Sequence, residues 1–129
     1  MATTPTGNGY WMVAADGGIF TFGGAHYEGS GSGRVSSNVV GMAATPTGNG
    51  YWMVSAAGNV LAFGDAPFLG PNNPNPSQPI VGIGATSTGK GYWLAGSDGS
   101  IYTFGDAVFA GSLNGISLNK PIVTIAPVL

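Results

Sequence analysis

Three times in this chain, 41 positions apart, nearly the same fifteen residues return. Residues 9–23 read GYWMVAADGGIFTFG, residues 50–64 GYWMVSAAGNVLAFG, and residues 91–105 GYWLAGSDGSIYTFG. A period of this length is the mark of an architecture made by stacking similar units, each too small to bury its own apolar surface. Each copy has the same internal order. An aromatic and apolar run is broken by a turn dipeptide and followed by a second apolar run, which is the pattern of a β-hairpin.

In the first unit the predicted strands are 10–15 and 19–22, joined at Asp16-Gly17-Gly18. A break at Gly23-Gly24 precedes a short fourth piece at 27–30 and a polar loop at 31–38. The run VVGMAAT at 39–45 opens the second unit, which continues through 51–55, the turn Gly58-Asn59, 60–63, the break Gly64-Asp65 and a short piece at 68–69. Its connecting stretch 71–78, PNNPNPSQ, contains three prolines and is a loop. The third unit runs 80–86, 92–95, the turn Asp98-Gly99, 101–104, Gly105-Asp106 and Phe109, and residues 121–126 close the chain. One repeat domain results, with units at about 1–38, 39–78 and 79–120 and a closing strand at 121–129. Four strands in about 41 residues is the size of a β-propeller blade, although the Trp-Asp dipeptide of one blade class is absent.

Hydrophobic residues make up 43% of the chain, and neither face of the hairpin strands carries charge. A sheet wetted on one side alternates apolar with polar. Strands apolar on both sides fit a sheet held between neighbouring sheets. The runs VVGMAAT and IVGIGAT are rich in small residues and suit the crowded innermost position. The fold expected is therefore all-β, a β-propeller with three blades per chain. Rings usually take 4–8 blades. An arc of three leaves two bare sheet faces, roughly 700 Å² against the roughly 400 Å² a soluble surface tolerates. A homodimer forming one six-bladed ring is the expected remedy. The final segment, matching the start of a unit, supplies the opening strand that the first unit has only in part. The alternative is a β-trefoil, which also has three four-stranded units, needs no partner and would be a monomer.

The five acidic and three basic residues give a net charge of −2. Arg34, Lys90 and Lys120 are too few and too scattered for nucleic acid or an anionic membrane. No apolar run reaches the length of a membrane span, so no membrane insertion is expected. Without cysteine there is no disulfide framework and no thiolate metal site. The opening MATTPTGNGYW lacks the basic start and apolar middle of a signal peptide and begins inside a repeat, as in a domain of a longer exported chain.

Asp16 and Asp98 are turn residues, and Ala57 takes their place in the middle unit. Asp65 and Asp106 follow Phe-Gly and suit loop pinning or, alternatively, ligand binding. One carboxylate per unit is poor ligation for Ca²⁺. His26 is the only histidine, and Glu28 has no equivalent in the other units, so no catalytic constellation forms. Neither enzyme activity nor a metal or cofactor is expected. The candidate ligand-binding residues are the pairs Tyr10-Trp11, Tyr51-Trp52 and Tyr92-Trp93, with Asp65 and Asp106. Neighbouring strand residues face opposite ways, so each pair offers a ring to each side of its sheet. Those rings either pack between blades or stack on a sugar. Two functions follow: a non-enzymatic carbohydrate- or cell-wall-binding module with repeated shallow sites, or a self-assembling scaffold without a small ligand. Deep burial of the aromatics favours the second.

Gly-Tyr-Trp at 9–11, 50–52 and 91–93, with Phe-Gly-Asp-Ala at 63–66 and 104–107, resembles a tandem repeat of secreted bacterial proteins. That repeat often stands beside cell-wall-active or surface modules. The first copy departs from it at Gly24 and the second at Ala57. The resemblance covers essentially the whole chain. It implies a β-propeller-like module outside the cytoplasm or at the cell surface, with no defined activity attached.

Overall fold

A computed structural model describes residues 1–35, 37–69, 78–113, 120–123 and 125–126. The proline-rich stretch expected as a loop lies outside them at 71–77. Among the described residues there are nine strands and no helix: β1 (Ala2–Thr3), β2 (Gly9–Val13), β3 (Ile19–Gly23), β4 (Val39–Ala44), β5 (Gly50–Ser55), β6 (Val60–Gly64), β7 (Ile80–Ala85), β8 (Gly91–Gly96) and β9 (Ile101–Gly105). They form three separate antiparallel sheets, β1-β2-β3, β4-β5-β6 and β7-β8-β9.

The repeated sequence sets a repeated register. Tyr10 pairs with Phe22, Tyr51 with Phe63 and Tyr92 with Phe104. The hairpins turn at Gly17, Gly58 and Gly99, whose φ angles of 89°, 90° and 87° favour glycine. Asp16 accepts the Gly18 amide at 2.8 Å, and Asp98 the Ser100 amide at 3.0 Å. In the middle unit, where Ala57 offers no carboxylate, the Ser55 hydroxyl accepts the Asn59 amide at 3.2 Å instead.

Each unit has three strands rather than the expected four. The pieces at 27–30, 68–69 and 109 are not strands. Backbone groups in or just before these pieces bond to side chains instead of to a strand. The carbonyls of His26, Pro67 and Val108 accept indole N–H groups, and the Glu28 amide and Gly29 carbonyl are taken by the Tyr51 hydroxyl. The trefoil alternative meets a different obstacle. No described strand pairs with a strand of another unit, so the sheets remain open and do not join into one barrel. The described residues of the closing segment are likewise not in a strand. Even so, the Ile122 amide donates to Ser97 O at 2.9 Å, just as Val39 donates to Ala15 O at 2.8 Å and Ile80 to Ala56 O at 2.9 Å. The closing segment therefore starts where an opening strand starts.

The opening strands lie side by side. A methyl group added at Gly41 on β4 would stand 3.3 Å from the Gly82 Cα on β7, which explains the small residues of these runs. The core is divided between the two gaps separating the sheets. One gap holds Trp11, Val39, Met42, Tyr51, Met53 and Phe63. The other holds Trp52, Val54, Val60, Ile83, Tyr92 and Leu94. The middle strand β5 is buried along its whole length, as a two-sided apolar strand demands.

Candidate functional site

Adjacent residues on a strand point to opposite faces, so each Tyr-Trp pair presents one ring to each side of its sheet, and the middle pair sends one ring into each gap. The Trp11 and Tyr51 rings meet across the first gap with centroids 5.6 Å apart at 57°. Trp52 and Tyr92 meet across the second at 5.5 Å and 55°. Both geometries are the tilted arrangement that aromatic quadrupoles favour. The indoles are also fixed at their edges. Trp11 Nε1 donates to His26 O at 2.7 Å, Trp52 Nε1 to Pro67 O at 2.8 Å and Trp93 Nε1 to Val108 O at 2.9 Å.

The tyrosines are tied to the unit before them. Tyr51 Oη donates to Gly29 O at 2.6 Å and accepts the Glu28 amide at 2.9 Å. Burial pushes the Tyr51 and Tyr92 phenols above the usual tyrosine range, against backbone hydrogen bonds that pull the other way.

The structure thus buries four of the six candidate rings, Trp11, Tyr51, Trp52 and Tyr92, between sheets. It leaves the other two at the ends. Tyr10 is 39% exposed where Tyr51 and Tyr92 are at 0% and 1%. Trp93 is only partly buried. Around Tyr10 lie Met12, Phe20 and Phe22, all exposed, with the Tyr10 and Phe22 rings stacked at 4.9 Å.

Asp65 and Asp106 form clasps. Thr45 Oγ1 donates to Asp65 Oδ1 at 2.7 Å, and Thr47 Oγ1 donates to Oδ2. Thr86 Oγ1 donates to Asp106 Oδ1 at 2.8 Å, and Thr88 Oγ1 to Oδ2. Each carboxylate therefore ties the end of its hairpin to the Thr-x-Thr loop that leads into the same hairpin. The Thr88 and Thr86 hydroxyls hold the Asp106 carboxyl below the usual carboxylate range. In the first unit Gly24 has no carboxylate, and Asn8 folds into its place. Its Oδ1 accepts Thr4 Oγ1 at 2.9 Å and Thr6 Oγ1 at 2.8 Å.

The Thr-x-Thr loops converge at one end of the opening strands. There Thr4, Pro5, Thr45, Pro46, Thr86 and Ser87 line an open cavity of about 510 Å³. Among the described residues no three His, Cys, Asp or Glu side chains lie close enough to share a metal ion. His26 enters the site through its carbonyl alone, and Glu28 through its amide.

Sequence reasoning overlooked one recurrent set. Tyr27, Phe68 and Phe109, 41 positions apart, are exposed in every unit. Each directly follows the residue whose carbonyl holds an indole. Their spacing was visible in the sequence, but assigning them to a fourth strand concealed their exposure. No protein-family model matches the chain, and no curated protein matches it.

Proposed function

We propose that the chain is a non-enzymatic structural and interaction scaffold. It is an arc of β-propeller blades that closes by association with a copy of itself, two chains of three units making one six-bladed ring. The observation that carries this reading is the use of the aromatic pairs. The rings of Trp11 and Trp52 are fully buried against the tyrosine of the next unit, and their N–H groups are spent on backbone carbonyls. A ring so engaged offers a sugar neither a face nor a donor. The Asp65 and Asp106 carboxylates are likewise occupied by threonine hydroxyls and fit loop pinning.

A carbohydrate- or cell-wall-binding function is the second reading, and the exposed rim aromatics favour it. Tyr27, Phe68 and Phe109 repeat at one position per unit, and a repeating polymer rewards repeated weak contacts. In both readings the module acts outside the cytoplasm as part of an exported chain, as its resemblance to secreted repeats implies. Affinity-tagged chain mixed with untagged chain, with and without soluble wall glycan, separates the two. The scaffold reading expects the tagged copy to retain the untagged one without glycan. Untagged chain washing through while glycan is retained overturns it.

A further inference from the structure

We infer that the two exposed end faces are the halves of one junction, and that each is covered by the opposite end face of a second copy. The inference rests on the closed-ring reading and names its contacts. The second copy is the occupant because the chain already contains this junction twice. Its receiving side is built from Tyr51, Met53, Leu61 and Phe63, and one unit later from Tyr92, Leu94, Tyr102 and Phe104. The first unit carries the same side as Tyr10, Met12, Phe20 and Phe22, all of them exposed.

The other side, built around Trp11 and Trp52, recurs around Trp93. The indole keeps its bond to Val108 O, but among the described residues its packing is more open there. Ala25 and Ala66 are buried beside the first two indoles, whereas Ala107 is not. A methyl group at Gly29 would stand 2.7 Å from the Phe63 ring of the following unit. Gly111 likewise has a positive φ, 115° against 135°, and no described residue lies within 4 Å of that position. It is the vacant seat for a phenylalanine, and Phe22 is the unseated one. Gly31 similarly lies against Met53 and Leu61, and its counterpart Leu113 borders a cavity of about 230 Å³ with Ala95, Ile101 and Ile122. Met12 of a second copy is placed to enter that cavity.

None of the residues named on the two faces is charged, so joining them desolvates no ion, although in the internal junction Arg34 sits over the Phe63 ring, 5.2 Å from its centroid. Each sheet face measures roughly 17 by 14 Å from strand rise and spacing. Four faces meet in a closed dimer, roughly 1,000 Å² of flat sheet, which is about the least area a biological interface buries.

The test is the mass in solution of the full chain and of Tyr10→Arg, Trp93→Arg and Ser32→Arg, with far-UV circular dichroism to confirm folding. Ser32 is exposed and lies on neither end face. The chain itself and Ser32→Arg are expected to associate. The two face variants should be folded single chains, with association weakened about 30-fold or more. Mixing Tyr10→Arg with Trp93→Arg should restore a two-chain species containing one of each, because one intact junction remains between them. Should either variant unfold, Phe22→Arg and Thr103→Arg serve as the pair. A single-chain wild type overturns the closed-ring reading and the inference together. An associated wild type whose face variants still associate, or whose mixed variants stay apart, overturns the inference alone.

Discussion

The indole of Trp52 lies tilted at 55° against the phenol of Tyr92, ring centroids 5.5 Å apart, and so joins two sheets that share no strand pairing. Side-chain packing therefore adds to the backbone bond from Ile80 N–H to Ala56 O in linking these units. The ring also reaches back to the Pro67 carbonyl of its own unit at 2.8 Å. One residue thus fixes the packing of the next sheet and the path of the segment after its own.

Truncating that residue should be among the most damaging changes available. Trp52→Ala removes a fully buried ring and leaves the Pro67 carbonyl without its donor. A loss of about 3–5 kcal/mol is expected, measured by denaturant unfolding. Thr21→Ala, at an exposed site on β3, is expected to cost well under 1 kcal/mol in the same assay.

Removing one oxygen tests the tie between units. Tyr51→Phe keeps the ring but deprives the Glu28 amide and the Gly29 carbonyl of their partner. The expected cost is about 1–3 kcal/mol. Hydrogen exchange at Glu28 should accelerate more than at the strand amides of β5.

The hairpins, the 41-residue period and the two-sided burial of the middle sheet were legible in the sequence because they follow from local chemistry. Gly17 and Gly99 with their preceding aspartates specify turns, and apolar residues on both sides of β5 specify neighbours on both sides. The fourth strand was misread for a physical reason. Residues such as Phe68 and Phe109 look like strand residues, but their neighbourhood is decided by the Trp52 and Trp93 indoles, which take the carbonyls at 67 and 108. A side-chain hydrogen bond across 15 residues leaves no trace in a local pattern. Nor could sequence alone decide between packing and ligand binding for the six rings. Their types are the same in every unit, and only position within the stack separates Tyr10 from Tyr51.

Asp106 shapes the response to pH at the acid end, and Tyr51 and Tyr92 at the alkaline end. Asp106 is held below the usual carboxyl range by Thr88 and Thr86, so the folded state binds its proton less readily than the unfolded chain. The stabilisation is present above the unfolded value of about 4 and is lost as pH falls through the lower folded value. Carboxyl carbon shifts followed by NMR should show Asp106 titrating low, and Thr88→Val should move it back up. Tyr51 and Tyr92 are raised by burial, so their contribution is present below about pH 10 and disappears as pH rises through the higher folded values.

The first unit's missing carboxylate offers a change for the better. The three atoms nearest a carbon added at Gly24 all belong to the amide end of Asn8, the closest at 2.5 Å, so the substitution requires that side chain to move aside. Gly24→Asp should then accept the Thr4 and Thr6 hydroxyls as Asp65 accepts Thr45 and Thr47. A gain of about 0.5–1 kcal/mol is expected in chemical denaturation, together with a low-titrating carboxyl at position 24.

In the closed-ring reading, three units cannot remain an open arc. Light scattering on the purified chain over a hundredfold range of concentration measures this directly. A particle of twice the 12.8 kDa chain mass, dissociating only on dilution, is the predicted result. A particle of one chain mass at every concentration, with Tyr10 and Trp93 both still accessible, contradicts it.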